Sequence, residues 1–489
     1  MTHAVIADEA GGGRNNYVGL ILGLALALGL QLIPAPGGLS REAWIVASLV
    51  ILMAVWWVTE ALPLAVTSLI PLVALPLLVG ISPRDAAAPY ANPILYVFLG
   101  GFLLAIAIER WRLNARIAYG IVAATGPRPR LIVAGFIVAT ALVSMWISNT
   151  ATALMMTPLA LAVAAAASPA TAGKGGDADP FGQALVLGVC YAASIGGIGT
   201  PVGSPTNLIA MAWLTENTGK AVDFGAWMMI GVPAVLLLLP VAWFLTARNL
   251  KSDKEAGKAA QQEVHSALAG LGRITVPEVR VGVVFGLVAF LWVFADPIKD
   301  LTGLNGLEDM TVAILGAIAL FLIPAGGGEK RSLLVWDDAV KVPWGIILMF
   351  GGGLSIAEAA TKTGLAAALG LGLEGVGVLP PLLLLGLVIL VMIVLTEFAS
   401  NVATITLMLP ILGALAVATG LAPVAIVVPA AIAASCGFMM PAGTAPNAIA
   451  YSTGKLTIPL MMRRGLMLNV VSVVVLTAVG LWIAPAALQ

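Results

Sequence analysis

The sequence predicts an all-α polytopic membrane protein, with about eleven transmembrane helices and two re-entrant hairpins set in an inverted repeat. Three observations carry this reading. Of the 489 residues, 60% are hydrophobic and only 10% charged, whereas soluble domains carry about a quarter charged residues. Apolar runs close to the ~20 residues that span a bilayer recur along the chain. The stretch "SNTATALMMTPLALA" from Ser148 returns as "SNVATITLMLPILGA" from Ser400, 252 positions later.

The apolar runs fall at 17–33, 43–58, 61–80, 93–109, 183–214, 225–247, 281–296, 310–324, 344–358, 424–450 and 464–486. Two further segments, 131–168 and 380–418, each hold two arms near 17 residues with the polar SN motif between them. Short arms and a polar tip predict hairpins that enter and leave on one side. Backbone outside a helix at that depth needs a cover of protein or a water-filled cavity. "RWRLNARIAYGIVAATG" at 110–126 is basic and amphipathic and suits the cytoplasmic interface. Its counterpart near 361–373 suits the outer one. The chain then divides into a tail with the first helix (1–42), a first repeat (43–250), a polar cytoplasmic linker (251–280) and a second repeat (281–489).

The charges favour a cytoplasmic N-terminus. With it inside, 19 of the 24 lysines and arginines lie in cytoplasmic loops, and Arg41, Arg84, Lys220, Lys299 and Lys362 lie outside. This is the positive-inside bias. The tail lacks a small-residue cleavage site and carries Asp8 and Glu9, unlike a signal peptide. The expected location is a bacterial inner (plasma) membrane, with the apolar flanks in lipid. Net charge is zero, so there is no basic footprint for nucleic acid. His3 and His265 fall in tail and loop, Cys190 and Cys436 lack metal-ligand spacing, and no HExxH, GxSxG or P-loop pattern occurs. An enzyme is not indicated.

The repeat extends beyond the SN motif. "FLGGFLLAIA" from Phe98 matches "FGGGLSIAEA" from Phe350, and "PVGSPTNLIA" from Pro201 matches "PAGTAPNAIA" from Pro441. Five crossings separate the two SN segments, an odd number, so the second repeat is inverted. The hairpins then enter from opposite sides and their tips can meet near the midplane. Such inverted repeats with broken helices are the architecture of secondary transporters.

Each repeat pairs its hairpin with a helix that cannot run unbroken. Pro201, Pro205, Pro441 and Pro446 remove N–H donors within "SIGGIGTPVGSPTN" and "SCGFMMPAGTAPN". Freed carbonyls are cation ligands, and freed N–H groups at the next helix start attract anions. Asn149, Asn401, Ser148, Ser400, Thr150, Thr152 and Thr404 supply further polar atoms, and Ser144 and Thr396 lie four residues before each motif serine, on the same helical face. No lysine or arginine lies in these clusters. An anion there needs helix dipoles, amides and co-bound cations to offset its burial.

These motifs resemble those of the divalent-anion/Na+ symporter family (DASS, INDY-like transporters), over almost the whole chain. The resemblance implies a homodimer whose transport domain moves elevator-fashion against a scaffold domain. It implies Na+ as the co-transported ion and a small dianion as substrate, most often a C4-dicarboxylate such as succinate, malate or fumarate. By the same resemblance one Na+ site uses Ser144, Ser148, Asn149 and backbone at Gly199 and Gly203. The other uses Thr396, Ala399, Asn401 and backbone at Gly443. Substrate meets Asn149, Thr150, Ser204, Asn401 and Thr444. Val402 stands where a strict repeat would place threonine, which bears on substrate preference.

Alternatives remain on the same fold: a cation-independent dicarboxylate or 2-oxoglutarate exchanger, or a citrate or sulfate carrier. A passive anion channel is a further class. Glu60 and Glu397 sit at or in apolar segments, where a carboxylate is either functional or a cap and backbone partner. Trp56, Trp57, Trp111, Trp336 and Trp344 read as interfacial anchors. The Met pairs at 155–156 and 439–440 read as packing.

Overall fold

The computed structural model describes residues 16–36, 38–168, 179–219, 222–251, 253–304, 306–372 and 379–487. The first fifteen residues of the tail, and the loop positions Lys174 and Lys220, lie outside them. The described chain is mostly helical, and among the described residues eight helices are long and apolar enough to cross a bilayer. Shorter apolar helices complete a polytopic membrane protein.

The first repeat runs Arg41–Val58, then Leu64–Thr67, Ile70–Ala74 and Leu75–Val79, then Pro93–Arg110 and Leu113–Ala123. Its hairpin arms are Pro129–Ser144 and Asn149–Ala167, followed by the interrupted helix Pro180–Gly196 with Pro205–Thr218, and by Phe224–Ala247. The second repeat keeps the order: Val276–Val293, Asp309–Leu322, Trp344–Lys362, Leu365–Gly372, arms Pro381–Thr396 and Asn401–Thr419, Pro423–Ala433 with Ala445–Ser452, and Ile458–Ala478. Prolines in the first turn start many of these helices, where the missing N–H costs nothing. Both first arms have 16 residues, about 24 Å, short of the ~30 Å hydrocarbon core, whereas the returning arms have 19 and are among the eight long helices.

The repeats interlock. Phe98 and its counterpart Phe350 meet edge to face with ring centroids 5.8 Å apart. Gly100 lies against the Ala313 backbone of the other repeat, and its counterpart Gly352 lies against Ser68. A Cβ at either glycine would fall within 2.6 Å of those atoms, so the crossings exist only with glycine there. The interrupted helices also cross over. Pro205–Thr218 packs on the second hairpin's arm Asn401–Thr419, and Ala445–Ser452 packs on the first hairpin's arm Asn149–Ala167.

Several elements differ from the sequence reading. The run 61–80 is three short pieces, with Pro63, Pro71 and Pro76 within it. The linker holds a helix, Lys254–Gly270, capped by Asp253, whose buried Gly257, Ala260 and Val264 share one face. That helix packs on Asn149–Ala167 and Leu113–Ala123. Residues Pro324–Gly326 and Glu329–Ser332 form a small β-hairpin, turned by Gly326, Gly327 and Gly328 at positive φ. Trp57 is a core residue, 2% exposed and bonded to Leu64 O, while Trp336 and Trp344 are exposed as anchors require. Glu60 is exposed, in a turn at φ 48°.

Candidate functional site

The first site begins where the first hairpin turns. Ser148 caps the returning arm, its hydroxyl accepting from Ala151 N at 3.3 Å, and Asn149 is that arm's first residue. The fully buried Ser144 ends the entering arm and donates to Ala193 O at 2.7 Å. One terminal atom of the Asn149 amide lies 2.8 Å from Ser144 Oγ, 3.0 Å from Ala193 O and 3.3 Å from Gly203 O. Turned one way, the amide nitrogen donates into this set. Turned the other way, a hydroxyl, an amide oxygen and two carbonyls face one point, an arrangement that a cation reconciles.

The second site repeats this geometry. Thr396, also fully buried, donates to Ala434 O at 2.6 Å and lies 2.8 Å from the Asn401 amide. The same amide atom is 3.1 Å from both Ala434 O and Gly443 O.

Paired asparagines hold the unwound segments in shape. Asn207 Nδ2 donates to Gly197 O and Thr200 O, each at 2.8 Å. Asn447 Nδ2 donates to Gly437 O at 2.8 Å and Met440 O at 2.7 Å. Both asparagines are fully buried, and these bonds satisfy carbonyls that the helices have released. Close approach requires glycine: a Cβ at Gly197 would stand 2.2 Å from Asn149 Oδ1, and one at Gly203 would stand 2.7 Å from Gly197 O.

Residues next to the two clusters meet. Ser204 Oγ and Ser435 Oγ are 3.3 Å apart, and Thr206 Oγ1 lies 2.9 Å from the first and 3.0 Å from the second. The helix N-termini at Asn149, Pro205, Asn401 and Ala445 border this region, each with unpaired N–H groups and a partial positive charge. Asn149, Thr150, Asn401 and Val402 are half-buried, while Ser204 and Thr444 are buried. Thr444 caps its helix by accepting from Asn447 N at 3.3 Å; Ser204 makes no such cap.

Of the residues selected from sequence, Ser144, Asn149 and Gly203 come together, as do Thr396, Asn401 and Gly443. Gly199 and Ala399 lie in the turns beside these groups. Gly199 N donates to Gly196 O and Ala399 N to Leu395 O. Not selected were Ala193 and Ala434, which contribute carbonyls alone, or Asn207 and Asn447, which were visible only as a repeated pair. Thr152 and Thr404, also a repeated pair, carry buried hydroxyls without a partner. Cys190 donates to Asn447 Oδ1 and Cys436 to Ile432 O, so both act as buried packing groups. Glu397 bonds backbone near the second tip, accepting from Met439 N and Met440 N.

Known proteins share this architecture. The chain matches "Sodium-dependent dicarboxylate transporter SdcS" of Staphylococcus saprophyticus at 39% identity over 479 residues, 96% of this chain and 92% of that one. It matches the protein of the same name from Staphylococcus aureus at 37% over 476 residues, again 96% and 92%. Two solved structures share the fold at low identity. The YdaH transporter of Alcanivorax borkumensis aligns with TM-score 0.55 and 14% identity, covering 81% of this chain and 85% of that one. MtrF of Neisseria gonorrhoeae aligns with TM-score 0.56 and 13% identity, covering 95% and 97%. The family model for the sodium:sulfate symporter transmembrane region spans residues 14–487, and the chain with its two oxygen clusters belongs to that family of membrane transporters.

Proposed function

We propose that this protein is a secondary active transporter coupling Na+ to the movement of a small dianion, a C4-dicarboxylate such as succinate, malate or fumarate. The observation that carries the reading is the duplicated oxygen cluster around Asn149 and Asn401. Each gathers a hydroxyl, an amide and two unwound carbonyls, the hard-oxygen chemistry of an alkali cation. One Na+ is held by Ser144, Asn149, Ala193 O and Gly203 O, and the other by Thr396, Asn401, Ala434 O and Gly443 O. Relatives sharing 37–39% identity over 96% of the chain are named sodium-dependent dicarboxylate transporters.

The dianion lies between the tips, against Asn149, Thr150 and Ser204 on one side and Asn401 and Thr444 on the other. With no cationic side chain in the clusters, its charge is offset by helix N-termini and by the bound Na+. This makes co-binding obligatory and couples the two gradients. The hairpins and interrupted helices move as one body against the remaining helices, in an elevator motion within a homodimer. The protein resides in a bacterial inner membrane with its N-terminus in the cytoplasm.

Uptake of labelled succinate by proteoliposomes tests the reading. An inward Na+ gradient should drive accumulation above equilibrium, and K+ should not replace it. Uptake independent of the cation would favour an exchanger, and uptake that no gradient drives uphill would indicate a channel. Competition by malate, fumarate, citrate and sulfate then ranks the dianions.

A further inference from the structure

Glu397 occupies the position in the second repeat that Met145 holds in the first, 252 residues earlier. Each directly follows the entering arm of its hairpin. Glu397 is 3% exposed. Its carboxylate accepts from Met439 N at 2.9 and 3.1 Å, from Met440 N at 2.8 Å and from Asn469 Nδ2 at 2.8 Å. Among the described residues, no lysine or arginine forms an ion pair with it.

The first repeat anchors the same segment without a charge. Thr200, the counterpart of Met440, donates to Met145 O and accepts from Gly203 N at 3.2 Å. A neutral device therefore suffices to hold an unwound segment in this architecture. Burying a carboxylate costs far more than burying a hydroxyl unless a positive charge offsets it. The second cluster adjoins it. Thr396 is the preceding residue, and a Cβ at Gly443, whose carbonyl faces Asn401, would lie 3.0 Å from Glu397 Oε2.

We propose that Glu397 is a positioning residue whose fixed negative charge, set behind the oxygens of the second cluster, makes that cluster bind its cation more tightly than the first. The two coupling ions are then inequivalent, and the second cluster fills first. This rests on the cation reading of the clusters.

The test is Na+-dependent thermal stabilisation of the purified full-length protein. Wild type should show two midpoints, with Thr396→Ala removing the tighter and Ser144→Ala the weaker. Glu397→Gln keeps the shape: its oxygen accepts the two backbone N–H bonds, and its nitrogen donates to Asn469 Oδ1 once the Asn469 amide, whose Nδ2 now faces Glu397, turns over. It should raise the tighter midpoint at least about tenfold, or ~1.4 kcal/mol, and leave the weaker one unchanged. Met145→Gln should move neither. A single shared midpoint, or the reverse assignment by Ser144→Ala and Thr396→Ala, overturns the proposal whether or not Glu397→Gln folds. A folded Glu397→Gln that titrates like wild type overturns it while the clusters stand. If neither Ser144→Ala nor Thr396→Ala changes the response to Na+, the cluster reading itself falls and takes this inference with it.

Discussion

Ser204 and Ser435 meet hydroxyl to hydroxyl at 3.3 Å, and Thr206 lies within hydrogen-bond distance of both. Each serine directly follows a carbonyl of a different cluster, Gly203 in the first and Ala434 in the second. The clusters are thus joined through one buried bridge. Thr206→Val keeps the volume and leaves two buried serines short of a partner. It should cost about 1–3 kcal/mol, read as a lower midpoint in thermal unfolding; an unchanged midpoint would mean the bridge contributes nothing.

The two kinds of asparagine should fail differently. Asn149→Ala and Asn401→Ala remove an amide that faces the cluster and should abolish uptake while the protein stays folded. Asn207→Ala strands two buried carbonyls, and Asn447→Ala strands one buried and one half-buried. They should cost about 2–4 kcal/mol of stability. Size-exclusion profiles and thermal unfolding beside uptake separate the outcomes, and normal uptake by Asn149→Ala would refute its role.

Gly197→Ala places a methyl 2.2 Å from Asn149 Oδ1. The asparagine is the end of a movable side chain and must swing out of the cluster. The expected variant is folded, with stabilisation by Na+ reduced at least tenfold in apparent affinity, about 1.4 kcal/mol. Stabilisation equal to wild type would show that the asparagine does not face the cation.

Val402→Thr restores the hydroxyl that a strict repeat would carry. It should reorder competition among succinate, malate, fumarate and citrate while leaving the Na+ dependence of uptake within about twofold, because the side chain is outside the cation oxygens. An unchanged order of competitors would count against Val402 as a determinant.

Side-chain signals were legible in the sequence and backbone signals were not. Hydropathy and the paired motifs located the apolar helices, the break at each SN motif and the duplicated Ser144/Thr396 and Asn149/Asn401 pairs. Ala193 and Ala434 escaped because a carbonyl joins such a cluster by where its helix ends, not by its side chain. Asn207 and Asn447 were visible as a pair, but their bonds run to backbone atoms that exist only once the chain is folded. The linker helix was hidden by its polar composition, although the Asp253 cap and the spacing of Gly257, Ala260 and Val264 were present in the sequence. Trp57 shows the opposite error, since position near a span end does not decide whether an indole faces lipid or core.

The Ser148 hydroxyl is committed to capping its helix, whereas Ser400 makes no such bond. Thr150 follows the first asparagine and Val402 the second. Apart from the buried Thr152 and Thr404, each tip therefore presents one uncommitted hydroxyl among the described residues, after the asparagine in one and before it in the other. On the proposed reading, a symmetric solute such as succinate meets a lopsided cradle, and one with unlike ends, such as malate, has a preferred direction of seating. The two end-for-end seatings of malate, which a strictly two-fold-symmetric site would hold equally, should then be unequally populated.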